Sequence, residues 1–562
     1  MTTTLERTAP AAPSAPAARA GSTLTGTWSL VRFILRRDRV RLTVWTLSLV
    51  AFYAYFTAAL GLMSETEGAL QARAAIMETP SGIVMGGPGY GVDDYTVGAA
   101  IANEGTVWVV LALALMSILH VVRHTRAEEE SSRSELVRAN PVGRHAPAVA
   151  AVITLVAVNA VVAVVSALAM TGVGGAEEMP LADSLGMTVG VGLSAMVFGA
   201  IALVFCQLVE HARGATGRSV AVFGLAFTIE VAGNLREVPG GSALSWFSPI
   251  AWAQQTRAFV DLRWWPMALS VVAVAVLLWF ASFLASRRDF GGGMIASRPG
   301  RADATESLRG PVALAWLQQK GALRWTAAGL GAMWMASGTL IPDIGEMIGD
   351  LIADNPAMSA IFGGDTSEFE AAFLGVMMLY GALCCAGYAI VMGLRPKAEE
   401  TTARAELVLS TPVSRRRWFG AQLLVAGAGT VVLLAVSVVA LWLGTYIVDV
   451  TDPGLGTYAE VFVSYVPAVL VYLGLTAALF AWVPRATAAG WALLAYTFVI
   501  GMFGGLIEDM PEAANWIAPF YWVPEAFVAD FDPGSFVGLS AVAAALFVLA
   551  FVGFRRRDVV TS

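Results

Sequence analysis

His120 and His124 stand four residues apart at the end of an apolar run, the spacing at which imidazoles on adjacent helical turns share a metal ion. No third ligand is evident beside them, so a packed pair at the inner rim of a helix is the plainer reading. Glu104 and Glu230 are acids inside other apolar runs, where a carboxylate is costly and by default marks a function. Proton coupling, a place in an outer vestibule and plain interfacial placement are all open to them. Asn159 reads as an interhelical hydrogen bond. Cys206, Cys384 and Cys385 all lie in apolar runs and read as small buried hydrophobes, with no disulfide framework and no zinc set. The glycines Gly86, Gly87, Gly89 and Gly91 of GGPGYG have no predicted strand before them and no helix start after them, so they read as a flexible turn and not as a phosphate cradle. A P-loop also needs a lysine directly before Ser or Thr. The two lysines here are Lys320, before Gly321, and Lys397, before Ala398. The chain is therefore expected to be no P-loop ATPase itself.

One charged pattern occurs twice. Residues 126–144 read RAEEESSRSELVRANPVGR and residues 397–415 read KAEETTARAELVLSTPVSR. At an offset of 271, Glu128 aligns with Glu399, Glu129 with Glu400, Arg133 with Arg404, Glu135 with Glu406 and Leu136 with Leu407, and Pro141-Val142 falls on Pro412-Val413. Acids early and bases late suit a helix macrodipole, and the proline should end or redirect the helix. Repetition of so detailed a pattern favours partner docking over a solvated loop whose basic end only fixes topology.

The elements that must position these residues are apolar. Of 562 residues, 57% are hydrophobic and 14% charged, where globular chains carry about 25% charged residues. Runs of about 20 apolar residues recur, long enough to cross a hydrocarbon core as helices. The fold class is an all-α polytopic membrane protein of twelve transmembrane helices, in two parallel six-helix repeats. The expected spans are 42–62, 99–122, 149–170, 185–209, 219–235 and 266–285, then 325–342, 371–394, 423–447, 461–483, 488–507 and 535–553. Residues 1–25 read as a disordered cytoplasmic tail, 26–290 as the first half, 291–310 as a linker and 311–562 as the second half. Amphipathic surface helices are expected before spans 1 and 7. The interfacial tryptophans Trp246, Trp252, Trp264 and Trp265 mark an outer segment before span 6, and APFYWVPEAF near Pro519 echoes SPIAWAQQTRAF near Pro249. With the N-terminus inside, only Arg73, Arg236, Arg257 and Arg263 of the 35 Lys and Arg fall outside. That asymmetry places both termini and both charged segments in the cytoplasm, in a multi-pass protein of the cell membrane.

The pattern E-x-[ST]-x-R-x-E-L-V-x-x-x-P-V-[GS]-R after spans 2 and 8 resembles the type-2 class of ABC exporter permeases. Within that class, the duplicated twelve-span form is similar to actinobacterial permeases for polyketide antibiotics and other drugs. The likeness covers nearly the whole chain in topology, and its specific motif occupies the two charged segments. It implies coupling helices seated on two copies of a separate ATPase subunit, which would hold ATP and magnesium; this chain would bind no cofactor. Glu128, Glu129, Arg133, Glu135 and Leu136 would be the coupling contacts of the first half, and Glu399, Glu400, Arg404, Glu406 and Leu407 those of the second. One departure stands out: the first copy has Gly143 where the second has Ser414, so the halves need not be equivalent. The resemblance also implies a pathway lined by spans 1, 2 and 5 and their counterparts. Trp45, Phe52, Tyr53 and Phe56 would face either a bulky apolar substrate or lipid, with Glu104 and Glu230 nearby.

The expected function is the permease subunit of an ATP-driven exporter of hydrophobic or amphipathic compounds. The partners are the ATPases, the substrate and the lipid bilayer, with no nucleic acid. The rival is an ion-coupled exporter of the major facilitator type, which also has two parallel six-span halves but a different loop after span 2. A membrane scaffold that transports nothing is the third class.

Overall fold

The structure is a computed structural model. It describes residues 22–557 except 67, 132–138, 238–239, 290, 296–301, 343, 346–348, 350–366 and 504–510. The chain packs into two compact units, Met1–Gly300 and Arg301–Ser562.

Unit 1 opens with α1 (Thr27–Arg37). The helix breaks at Asp38, and the chain continues as α2 (Arg39–Ser64). A π-helical turn, Ile101–Gly105, leads into α3 (Thr106–His124), and α4 (Arg126–Glu130) begins the charged segment. Four long helices complete the unit: α5 (Ala146–Gly174), α6 (Leu181–Leu208), α7 (Ala212–Asn234) and α8 (Trp265–Arg287). Helix α6 is the pillar of the unit and packs against α3, α5 and α8. Small residues on it, such as Ser184, Gly190, Ser194 and Ala195, are buried and let its neighbours come close. Around it Ile101, Leu113, Phe198 and Met170 are fully enclosed.

Unit 2 has α9 (Pro311–Gly338), α10 (Ser367–Gly393), α11 (Arg395–Thr401), α12 (Arg404–Leu409), α13 (Arg415–Ile447), α14 (Leu455–Trp482), α15 (Ala489–Phe503) and α16 (Pro533–Arg556). Helix α14 occupies the central place and packs on α10, α13 and α16. Helices α9 and α13 cross where Gly338 meets Gly444. A Cβ on Gly338 would lie 2.4 Å from the carbonyl oxygen of Leu441, so only glycine permits this approach.

Ten helices among the described residues are long and apolar enough to cross a bilayer, and the protein is an all-α polytopic membrane protein. The two expected spans not among these ten fall on α9 and α15. Helix α15 is strongly apolar, but 15 of its residues are described. Helix α9 differs from expectation: the surface helix and span 7 are one continuous helix of 28 residues. Its first half carries Gln318, Gln319, Lys320 and Arg324, which dilute its hydrophobicity. Nothing there breaks the helix as Asp38 does in unit 1, and Gly321 inside it costs only about 1 kcal/mol relative to Ala.

Of the expected tail, residues 1–21 lie outside the described residues. Residues 22–25 form a turn seated on the charged segment: the amides of Gly143 and His145 donate to the carbonyls of Thr25 and Thr23 at 2.9 and 3.0 Å.

Candidate functional site

Each charged segment is built into the basic end of its own unit at matching points. Arg126 opens the first copy and is 1% exposed. Its guanidinium donates to the carbonyl of Glu210, in the turn after α6, and to those of Gly291 and Gly292 after α8. Lys397, its counterpart, donates to the carbonyl of Pro484 in the turn after α14 and to the Thr487 hydroxyl, at 2.7 and 2.8 Å. Glu129 pairs with Arg288 just beyond the end of α8 at 2.6 Å, and with Arg126 at 2.8 Å. Glu400 pairs with Arg557 just beyond the end of α16, also at 2.6 Å. Arg144 donates to the carbonyls of Ala285 and Arg288, and Arg415 to that of Arg557. The prolines make the same tight turn in both copies, with Val142 N–H on Asn140 O at 2.7 Å and Val413 N–H on Thr411 O at 2.6 Å, an i to i+2 bond of the γ-turn kind.

Glu129, Glu399 and Glu400 are therefore engaged inside their units. Glu399 faces Arg395 at 3.2 Å, with Arg404 at 3.9 Å. Glu128 is half-buried and pairs with Arg37 at the end of α1, at 2.6 Å. Arg404, Glu406 and Leu407 are exposed on α12, and Leu407 at 73% is an apolar side chain held in the open. Arg133, Glu135 and Leu136 lie outside the described residues.

The expected difference between Gly143 and Ser414 has a steric origin. A Cβ on Gly143 would lie 2.2 Å from the carbonyl oxygen of Thr23, so a side chain there excludes the 22–25 turn. The Ser414 hydroxyl instead caps α13 by accepting from the Arg417 amide at 3.3 Å.

The elbow between α1 and α2 brings together residues that are far apart in sequence. Asp38 Oδ2 lies 2.9 Å from His124 Nε2, and Arg123 reaches Oδ1 at 3.2 Å. His120 Nε2 meets Thr154 Oγ1 at 2.9 Å. Burial alone would raise the Asp38 carboxyl, but the His124 hydrogen bond and the charges of His124, Arg123 and Arg41 outweigh it and hold the group low. Unit 2 replaces this ionic corner with amides. Gln318 donates to Glu399 at 3.3 Å and accepts from Gln422, and Gln319 donates to the Gln422 side chain at 2.9 Å.

At the opposite end of unit 1, Glu104 sits in the π-helical turn. Arg73 grips both its oxygens, and the Tyr95 hydroxyl donates to it at 3.2 Å. The hydrogen bond with Glu104 raises the Arg73 guanidinium, and burial raises the Tyr95 phenol. Asn103 accepts from the Tyr90 amide and donates to its carbonyl. Glu230 is buried on α7, where Asn234 donates to one carboxylate oxygen at 2.5 Å. Tyr95 also lines a cavity of about 620 Å³, with Leu70, Val97, Glu178, Asp183 and Phe259 among others. On α2, Phe52, Tyr53 and Phe56 pack together. Tyr53 is core at 1% exposure, Phe56 reaches Gly105 in the π turn, and Trp45 is half-buried against the core of its unit.

Asp38 is absent from the residues singled out by sequence, and no clamping role was assigned there to Arg288 or Arg557. Arg287-Arg288-Asp289 is echoed by Arg556-Arg557-Asp558, and that echo, with the alignment of Arg126 with Lys397, was the available signal for the clamps. No sequence signal links Asp38 to His124.

A family model described as multidrug efflux system permease Rv1217c, C-terminal domain, matches residues 29–287 and 308–555. The multidrug efflux system permease protein Rv1217c of Mycobacterium tuberculosis (strain ATCC 25618 / H37Rv) is 34% identical over 561 residues, covering 99% of this chain and 99% of that protein.

Proposed function

This chain belongs to the multidrug efflux system permease family, and we propose that it is the membrane subunit of an ATP-driven exporter whose ATPases are separate chains. The observation that carries the reading is the doubled clamp. Each charged segment is tied to the turn after the central helix and to the end of the last long helix of its unit, through Arg126 and Glu129 or Lys397 and Glu400. A force applied to such a segment reaches several spans at once. The face left over in unit 2, Arg404, Glu406 and Leu407, is exposed and available to a partner.

In this reading the basic ends and both termini are cytoplasmic, by the distribution of Lys and Arg. Two ATPase copies, carrying ATP and magnesium, dock on the two segments. Their closure shifts the spans and moves a hydrophobic or amphipathic compound outward. The internally paired Glu129, Glu399 and Glu400 position the segments, and the exposed residues make the contact. The relative's name supports multidrug efflux as the class of transport.

Co-purification from the native membrane in mild detergent tests this, with an ATPase measurement on whatever P-loop subunit is recovered. The native chain should retain a stoichiometric ATPase. Leu407→Asp should release it or uncouple its hydrolysis from export, with thermal unfolding unchanged because the side chain is already exposed. Export that survives ATP depletion and stops when the proton gradient collapses would overturn the proposal in favour of an ion-coupled exporter.

A further inference from the structure

We propose that Asp38, His120 and His124 form a binding site for a divalent transition metal of the zinc class, peculiar to unit 1. The three residues come from two places in the chain. His120 and His124 occupy one face of the last two turns of α3, and Asp38 comes from the elbow between α1 and α2. All three are buried, at 3%, 5% and 3% exposure. One donor atom from each lies within 4.8 Å of the other two. Zinc–nitrogen bonds of about 2.0–2.1 Å put tetrahedral donors about 3.3 Å apart, so side-chain adjustment closes the set. The imidazole centroids are already 4.8 Å apart.

The surroundings orient the donors as metal sites require. Arg123 holds Asp38 by Oδ1 at 3.2 Å, leaving Oδ2 toward the imidazoles. The Thr154 hydroxyl hydrogen is shared between the carbonyls of Ala150 and Ala151, each at 2.9 Å. The hydroxyl oxygen then accepts from His120 Nε2–H at 2.9 Å, and in that tautomer Nδ1 carries the lone pair that would ligate, with the other ring nitrogen hydrogen-bonded as in metal sites. Two neutral imidazoles and one carboxylate suit zinc over magnesium or calcium, with water as the fourth ligand.

Among the described residues the second unit has no such set. Val391 and Arg395 stand at the positions offset by 271 from the two histidines, and Arg309 at that offset from Asp38. A bound ion would join the elbow to the helix that runs directly into the charged segment of unit 1, and so would stiffen one segment and not the other. This site stands apart from the ATP-driven reading and does not depend on it.

The test uses the full chain purified without a histidine tag, equilibrated with zinc and then freed of unbound metal. The expected result is about one zinc per chain, with X-ray absorption at the zinc edge showing only nitrogen and oxygen neighbours and imidazole scattering. His120→Gln with His124→Gln should reduce the retained zinc to background, while His145→Gln with His211→Gln should leave it unchanged. Zinc well below one per chain, sulfur in the first shell, or equal retention by the His120/His124 variant would each overturn the proposal. If that variant does not fold, the stoichiometry and absorption spectrum of the native chain decide alone.

Discussion

In unit 1 the helix stops at Asp38 and turns into α2, pinned by His124 and Arg123; in unit 2 the equivalent stretch runs unbroken through Gln318 and Gln319, pinned by the neutral side chain of Gln422. Directly above these different elbows, the charged segments are clamped alike, by Arg126 or Lys397 at one end and Arg144 or Arg415 at the other, with Glu129 or Glu400 between. The groups that differ are mostly the ionisable ones. At an offset of 271, Glu104 faces Gly375, Glu230 faces Gly501 and His120 faces Val391. What both units hold in common is the clamp on the charged segment. What unit 1 adds is the buried Glu104, His120 and Glu230, which have no ionisable counterpart at that offset.

Within the shared clamp the two acids differ in their number of partners. Arg557 is the ion-pair partner of Glu400 among the described residues, and it also donates to the Phe480 carbonyl and covers the Phe480 ring. Glu129 has a second partner in Arg126 besides Arg288. Removing one member of a buried pair costs roughly 3–5 kcal/mol, while losing one of two charged hydrogen bonds costs about 1–3 kcal/mol. Arg557→Ala should therefore lower the thermal midpoint in detergent, and adding Glu400→Gln should recover part of the loss, because the stranded charge is gone. Arg288→Ala also loses bonds to Gln207 and the Gly292 carbonyl, but Glu129 keeps Arg126, so adding Glu129→Gln to it should recover nothing. Equal recovery in the two double variants would show that the clamps are equivalent after all.

Next in size is an exchange at the turn after the proline. Gly143→Ser gives unit 1 the residue of unit 2, but its Cβ would collide with the Thr23 carbonyl. Overpacking of this kind costs about 1–3 kcal/mol, and the cheapest relief is to expel the 22–25 turn. The variant should be cut faster by protease before Gly26 than the native chain. Ser414→Gly loses a helix cap and, since glycine is itself an acceptable cap, only a few tenths of a kcal/mol. An N-terminal segment as resistant in Gly143→Ser as in the native chain would mean that the turn is held by something other than Gly143 and His145.

How far the sequence reached depends on the range of the interaction. Span positions follow from runs of apolar residues and came through at ten helices, because burial in lipid is a local property of composition. The doubled segment was legible because both copies survive in register. The partners of its acids were not, since Arg288 lies 159 residues from Glu129 and no periodicity connects them. The resemblance makes Glu129 and Glu400 coupling contacts, and the structure places both, half or fully buried, against their own unit. The elbow failed for a related reason. The pair His120 and His124 was visible by spacing, but its third member is 82 residues before His120 and enters through a helix break that a single aspartate does not announce. In α9 the opposite error arose: amphipathic and apolar stretches read as two elements, yet a helix continues through both when no residue stops it.

The finest distinction concerns how each elbow touches its charged segment. Arg37 meets Glu128 with both side chains about a quarter exposed, and in unit 2 Gln318 meets the buried Glu399. Exposed ion pairs contribute about 0.2–1 kcal/mol and weaken with salt. Arg37→Gln should thus lower the thermal midpoint slightly at low salt and not at all at high salt. The reverse exchange, Gln318→Arg, should stabilise nothing at either salt concentration, because Glu399 already has Arg395 at 3.2 Å and Arg404 at 3.9 Å and a third cation meets mutual repulsion. A gain in stability from Gln318→Arg would mean that Glu399 is under-neutralised, and that the amide corner of unit 2 is a neutral version of the unit 1 corner and not a different solution.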